Sequence, residues 1–311
     1  MGEYLWTEIY RPSKIEDCIL PARIKDSFLE YVKQGKVPNL MLTGGPGIGK
    51  TTSAIAMCEE IGLSYMMINA SNENGIDVIR TKIINYASTL SLTGGRKVII
   101  LDEADNLTAA NQSALRGTIE EFSNNCSFIL TCNFKAKIMD AIHSRMAVID
   151  FNLSKDEKAQ MATMFFKRLK NILTLEKVEF DSKVLAEIIS RYFPDYRRTL
   201  GELQRLAVLG KIDGNTLAQL ADVRNIKELM SFLKDKNFRE VRKWVVDNSD
   251  VDMPRLYRAI YDALSEFLKP SSIPIAIIII AKYQYQNGFV ADTEINLVAC
   301  LTEIMVECEF E

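Results

Sequence analysis

The stretch Gly44-Gly45-Pro46-Gly47-Ile48-Gly49-Lys50-Thr51-Thr52 decides the fold. It matches G-x-x-x-x-G-K-T, the pattern of a phosphate-cradling loop. An apolar segment, 39–43, runs into it, and 52–60 follows with the apolar spacing of a helix. The loop therefore stands at a strand-to-helix junction, where backbone N–H groups and the helix dipole favour an anion. Glycine lets the backbone wrap phosphates without a Cβ in the way. The nucleotide-binding set is Gly45, Gly47, Ile48, Gly49, Lys50, Thr51 and Thr52. Lys50 is expected to reach the β- and γ-phosphates of ATP, and the Thr51 hydroxyl to ligate Mg²⁺. An ordinary Gly/Pro turn would need neither the lysine nor these flanks.

A chain of 311 residues has room for two or three domains. Its formal net charge of −3 carries no global signature of nucleic acid, so any DNA contact has to be local. The opening Met1-Gly2-Glu3-Tyr4-Leu5-Trp6 lacks the basic and apolar regions of a secretory signal. The apolar run Ile273–Ala281 is too short to cross a bilayer and predicts a buried element. Cys18, Cys58, Cys126, Cys132, Cys300 and Cys308 form no C-x-x-C pair, and His143 is the single histidine. Reduced thiols, no zinc site, no membrane and a cytoplasmic location are the expectation.

Pro12 and Pro21 predict an extended or turning lead-in, not a helix, for Trp6–Pro12. That segment is either an arm packed on the domain or one wall of a base pocket. Helical spacing covers Ile24–Gln34, and Tyr65–Asn69 reads as a strand. A turn cluster at 70–75 precedes helical spacing from Ile76 to Leu90, and Gly94-Gly95 closes that unit. Lys97–Asp105 begins as a continuous apolar run, the mark of a central parallel strand, and ends in carboxylates. Ligands of α/β sheets bind at that end. Asp102 is placed to hold Mg²⁺, and Glu103 to act as general base on the attacking water. Paired with the phosphate loop, these carboxylates point to nucleotide hydrolysis.

Asn111–Phe122 reads as a helix with Gln112 and Arg116 on one face, which spacing alone makes a solvated one. Ser127–Asn133 is a further strand; Asn133 either bonds the attacking water or γ-phosphate, or simply forms a turn. A short helix at Ile138–Ile142 leads to Ser144-Arg145, and Val148–Phe151 is the last strand. Arg145 is either a surface arginine or a finger for a neighbouring subunit's nucleotide.

In this order the chain carries Trp6-x-Glu8-x-Tyr10-Arg11-Pro12, the phosphate loop, Asn69 to Arg80, Leu101-Asp102-Glu103-Ala104-Asp105, Thr131-Cys132-Asn133 and Ser144-Arg145. That succession resembles the clamp-loader ATPases, the AAA+ subunits of replication factor C and its relatives. Tyr10–Ser13, Cys18–Pro21 and Phe193–Leu203 resemble the T-even bacteriophage sliding-clamp-loader large subunits in particular. The likeness is dense over the first two-thirds of the chain. Beyond that it rests on length and helical character.

The resemblance implies a role for each matching residue. Tyr10, Arg11 and Pro12 would join the nucleotide site, Asn133 would sense the γ-phosphate, and Arg145 would act in trans. Arg197 would be a second sensor in cis, with the adjacent Arg198 as the alternative. Ile76 and Arg80 would track template-strand phosphates. Gln112 and Arg116 would couple DNA contact to neighbouring ATP sites, and 86–95 would face a sliding clamp. Implied partners are that clamp, primer–template DNA, and copies of the chain plus a distinct subunit in a pentamer; a phage origin would place it in the host cytoplasm. One departure is Ser144-Arg145-Met146, where relatives usually read Ser-Arg-Cys; the arginine survives.

Ser154 and Glu157 form a capping-box pattern at the head of a helix whose apolar face carries Met161, Met164, Phe165, Leu169 and Ile172. Val184–Tyr192 and Arg197–Leu209 complete a three-helix lid, and helical segments continue from Ile226 to Glu307. The expected architecture is an α/β AAA+ ATPase domain at 1–152, a helical lid at 153–222 and an all-α collar at 223–311, the last for oligomerisation. A DEAD-box helicase would need a second α/β half, which the helical remainder does not supply. A subunit that holds ATP without hydrolysing it should lack Glu103 or Lys50, and both are present. The all-helical final third also argues against a metabolite kinase.

Overall fold

The computed structural model describes residues 5–71, 76–89, 96–208, 210–213, 226–248 and 253–311. They fall into two compact units, Met1–Gly214 and Asn215–Glu311.

The first unit is built on a sheet of five parallel strands: β1 Leu40–Thr43, β2 Tyr65–Asn69, β3 Lys97–Asp102, β4 Cys126–Cys132 and β5 Ala147–Asp150. Their order is β2-β3-β4-β1-β5. The central strands β1 and β4 are buried throughout, as their unbroken apolar runs require of a sheet covered on both faces. Helices α2 (Ala22–Gln34) and α3 (Lys50–Ile61) cover one face, where Phe28, Ile55 and Met57 pack with Leu40, Leu42 and Ile100. Helices α4 (Ile76–Ser88) and α5 (Ala109–Glu121) belong to the other, where Ile83, Leu115 and Ile119 meet Ile99, Leu101 and Leu130.

Two expectations change here. Trp6–Ile9 is a single helical turn, α1, not an extended lead-in. Pro12 lies beyond it and so does not oppose it, while buried Trp6 donates its backbone N–H to Gln204 Oε1 at 2.9 Å, tying the turn to the lid. Nor is Gln112 on a solvated face. It is buried, donates to the carbonyls of Leu107 (3.1 Å) and Lys137 (2.9 Å), and accepts the Met139 N–H at 2.8 Å. Arg116, four residues on, is exposed.

Short helix α6 (Asp140–His143) precedes β5, and α7 (Lys155–Leu175) follows it with the Ser154/Glu157 capping box in place. Helices α8 (Ser182–Tyr192) and α9 (Tyr196–Ala207) complete the unit. The lid is not purely helical: β6 (Glu179–Phe180) and β7 (Lys211–Ile212) pair in parallel.

The second unit consists, among its described residues, of helices α10 (Ile226–Lys234), α11 (Phe238–Asp247), α12 (Met253–Phe267), α13 (Ile273–Gln286) and α14 (Thr293–Glu307), with an isolated bridge between Leu268 and Phe310. Its core gathers Trp244, Tyr257, Ile260, Leu297 and Leu301. The isoleucine run is helical despite its strand propensity, but it is only partly buried. Ala276, Ile279 and Ile280 face the core, while Ile275, Ile278, Tyr285 and Phe289 are exposed on or just beyond α13. No helix among the described residues is long and apolar enough to cross a membrane.

Candidate nucleotide site

The carboxyl ends of β1, β3 and β4 converge on one cleft. Gly49, with φ of +94°, turns the chain from the loop into α3, and Lys50 opens the helix. Lys50 is buried, and its ammonium donates to the carbonyls of Gly44 and Gly45, both at 2.7 Å, and to Asn133 Oδ1 at 3.0 Å. Desolvation pulls its pKa below the ordinary lysine value, against the nearby Asp102 and Asp105. An anion entering the cleft opposes that shift by supplying a negative partner, which favours the charged form.

The Thr51 hydroxyl donates to Asp102 Oδ1 at 2.6 Å, and Thr131 donates to the same oxygen at 2.6 Å. Thr131 also accepts the backbone N–H of Glu103 at 3.0 Å. A hydroxyl and a carboxylate side by side are hard oxygen donors that suit Mg²⁺, which takes one or two protein oxygens together with phosphates and water. No three His, Cys, Asp or Glu side chains gather as a cage among the described residues. Glu103 adopts φ of +56°, an uncommon backbone state for a residue with a side chain. Its carboxylate accepts the Ser71 hydroxyl, and Asn106 Nδ2 lies 3.4 Å from it and 3.1 Å from Ser71 Oγ.

The lid closes the far side. Phe165, Arg168, Tyr196, Arg197 and Leu200 line the cleft with Tyr10, Arg11, Pro12 and Cys18–Leu20. Tyr196 joins three parts of the unit: its N–H donates to Gly47 O at 2.9 Å, its hydroxyl to Ile19 O at 3.3 Å, and its ring lies 4.7 Å from that of Phe165. Arg168 anchors the N-terminal wall by donating to Asp17 O at 2.6 Å and Tyr10 O at 2.8 Å. Burial and Glu176 push the Tyr10 hydroxyl up to about 12. The lead-in is thus both an arm packed on the lid and a wall of the cleft.

Residues 40–152 match the AAA family, "ATPase family associated with various cellular activities", and 156–218 match the "Sliding-clamp-loader large subunit, AAA+ ATPase lid domain". The chain is 33% identical over 318 residues to the sliding-clamp-loader large subunit of Enterobacteria phage T4, covering 99% of this chain and 98% of that one. It is 34% identical over 321 residues to the replication factor C small subunit of Sulfurisphaera tokodaii, covering 98% and 96%.

The chain belongs to the clamp-loader ATPase family.

The T4, phage RB69 (32% identical over 315 residues, covering 98% and 97%) and Sulfurisphaera tokodaii relatives each align along nearly the whole chain. The structure of the Thermotoga maritima RuvB Holliday junction branch migration motor shares the fold, with a TM-score of 0.53 at 16% identity over 72% of this chain and 78% of that one. This clamp-loader ATPase accordingly binds and hydrolyses ATP.

The structure brings Tyr10–Pro12, Pro46–Ser53, Asp102, Glu103, Asn133 and Arg197 to one cleft. Arg198, the alternative sensor, instead stacks on Tyr192 with its guanidinium carbon 4.5 Å from the ring centre. Arg145 lies away from the cleft, ion-paired with Glu120 and bonded to Ser144 Oγ at 3.0 Å. Arg80 is exposed on α4; Ile76 opens that helix, and its side chain lies outside the described residues. So do 72–75 of the turn cluster, 90–95 of the clamp-facing segment, and 214–225 around the expected lid–collar boundary. Residues that sequence reasoning missed are Ser71, Asn106, Thr131 and Arg168. Short polar residues at strand ends are too common to stand out. Arg168, three positions after Phe165, was hidden by its helix's apolar periodicity.

Proposed function

We propose that this chain is the ATP-hydrolysing subunit of a loader that opens a sliding clamp and places it on primer–template DNA. The observation that carries the reading is the convergence of Lys50, Thr51, Asp102, Glu103 and Asn133 on one lid-covered cleft, in a chain of this family. Lys50 and the loop amides bind the β- and γ-phosphates, and Thr51 and Asp102 hold Mg²⁺. That ion, when bound, neutralises charge developing between the β- and γ-phosphates. Glu103 takes the proton of the attacking water, Asn133 contacts the γ-phosphate, and Arg197 contacts phosphate from the lid in the same subunit.

The division into an ATPase domain (1–152), lid (153–222) and collar (223–311) belongs to this reading. The exposed apolar side chains of α13 fit a collar that meets copies of the chain and a distinct subunit, as a pentamer. Arg145 is then offered to the neighbour's ATP, Ile76 and Arg80 follow the DNA backbone, 86–95 face the clamp, and Gln112 and Arg116 link DNA contact to the ATP sites. Buried Gln112 ties α5 to the segment leading into α6, a rigid route toward Arg145. DNA entering the assembly shifts it toward the aligned, hydrolysing state, and hydrolysis at Glu103 then releases the clamp closed around the DNA. The site of action is the cytoplasm, the host's if the chain is phage-encoded.

Steady-state ATPase of the assembled loader, with and without clamp and primer–template DNA, tests this. Joint stimulation by both, abolished in Arg145→Ala and in Glu103→Gln, is the expected result. A rate indifferent to clamp and DNA would leave ATP hydrolysis standing and remove the loading role.

A further inference from the structure

The turn after β3 does more than carry Glu103. Asp105 sits in a 3-10 turn, Ala104–Asn106, and is 8% exposed. A short acidic side chain in such a turn ordinarily bonds its own local backbone. Here the Asn106 N–H goes to Glu103 O at 3.0 Å, and Asp105 Oδ2 reaches across to the end of β4. It accepts the backbone N–H of Asn133 at 3.2 Å and that of Phe134 at 3.1 Å. Its other oxygen, Oδ1, is buried with no hydrogen-bond partner.

Leaving a carboxylate oxygen buried and unpaired destabilises a fold, so a group kept in that state needs a reason. Joining β3 to β4 is not enough of one. The strands are already paired along their length, and Thr131 bridges their ends by donating to Asp102 and accepting from Glu103. What Asp105 adds is a hold on the backbone of Asn133 and Phe134. The Asn133 side chain then meets Lys50 Nζ at 3.0 Å. A residue that must read one phosphate oxygen has to be held to a fraction of an ångström, and a bond to its own main chain does this directly.

We infer that Asp105 is a positioning residue: its buried carboxylate aims Asn133 so that the site tells a nucleoside triphosphate from a diphosphate. The inference rests on Asn133 contacting the γ-phosphate, and its test separates the two. Binding of fluorescent ATP and ADP analogues with Mg²⁺ is measured on the full-length chain, for the parent, Asn133→Ala, Asp105→Ala, Asp105→Asn and the double alanine variant.

Asn133→Ala should narrow the preference for triphosphate roughly tenfold, the worth of one hydrogen bond to a charged oxygen. Asp105→Ala should narrow it by a similar factor while diphosphate affinity stays within about twofold. The double variant should lose no more than either single change, because the two act as one unit. Asp105→Asn keeps an acceptor oxygen for the two N–H groups and should recover most of the preference. A role in folding alone would weaken both nucleotides together.

Unchanged preference in Asp105→Ala, or losses that multiply in the double variant, would overturn the inference while leaving Asn133 in its role. Unchanged preference in Asn133→Ala would overturn both. If Asp105→Ala does not fold, Asp105→Ser, too short to span to Asn133, is read by the same criteria.

Discussion

Gly47→Ala probes how the lid grips the phosphate loop. Gly47 has φ of +69°, and a Cβ built there falls 1.8 Å from Asp195 Oδ1 and 2.4 Å from its Cγ. Asp195 can swing aside, since a carboxylate tip is flexible, but it caps α9 by accepting the Arg198 N–H at 2.9 Å. Moving it gives up about 1 kcal/mol of capping. The left-handed backbone adds about 1 kcal/mol for any residue with a Cβ. Displacing α9 also strains the Tyr196 N–H bond to Gly47 O, at 2.9 Å, worth about 1 kcal/mol more. Together these come to about 3 kcal/mol, or roughly a hundredfold in nucleotide affinity if a docked lid is what encloses the ligand. Isothermal titration with ATP, paired with thermal melting of the nucleotide-free protein, measures both parts. Gly45→Ala is the melting control: no atom lies within 4 Å of its Cβ and its φ is not in the strained range. Affinity within about threefold of the parent, with an unchanged melting temperature, would mean that Asp195 yields freely and that the lid is not seated through Gly47.

Arg197→Ala should weaken ATP binding about tenfold or more, as one charged contact to phosphate is removed, whereas Arg198→Ala should leave it unchanged and lower stability by about 0.5–1 kcal/mol through its lost stacking on Tyr192; equal effects on binding would refute the assignment. Ser71→Ala releases the Glu103 carboxylate from a hydroxyl donor. Basal hydrolysis should rise several-fold with ATP affinity unchanged, while a fall would show that Ser71 aligns Glu103 and does not restrain it. Burial pushes the thiols of Cys18 up to about 11 and of Cys58 and Cys300 up to about 12. Unfolded thiols ionise near pH 9 while these stay protonated, so their contribution is whole below pH 9 and falls above it, by up to about 1.4 kcal/mol per pH unit for each. Urea unfolding between pH 8 and 10.5 should show stability declining, and a rise over that window would contradict the assignment.

Much of the site was legible because its chemistry demands fixed spacing along the chain. A phosphate loop needs glycine, lysine and a hydroxyl in register with a helix start, and a metal-binding carboxylate has to end a central strand. Lys50, Thr51, Asp102 and Glu103 could therefore be named from local pattern, whereas Asn133 was singled out only by the family resemblance; all five line the cleft. The choice between Arg197 and Arg198 could not be made that way. Both open one helix, and only the placement of Tyr192 shows which of them is stacked away. Gln112 escaped for a related reason: i, i+4 spacing shows that it and Arg116 share a helix face, but not that three backbone groups elsewhere wait for its amide.

By itself the sequence determined the class of fold, the nucleotide loop, most strand and helix positions and the family, because each depends on periodicity or on short motifs contiguous in the chain. Only the tertiary structure decided which polar side chains close the site. Ser71 on Glu103, Thr131 between Asp102 and Glu103, Asp105 beneath Asn133 and Tyr196 on Gly47 join residues tens to more than a hundred positions apart. Contacts of that kind arise from the order in which parallel strands are laid side by side and from how the lid seats on their ends. Neither leaves a period in the sequence.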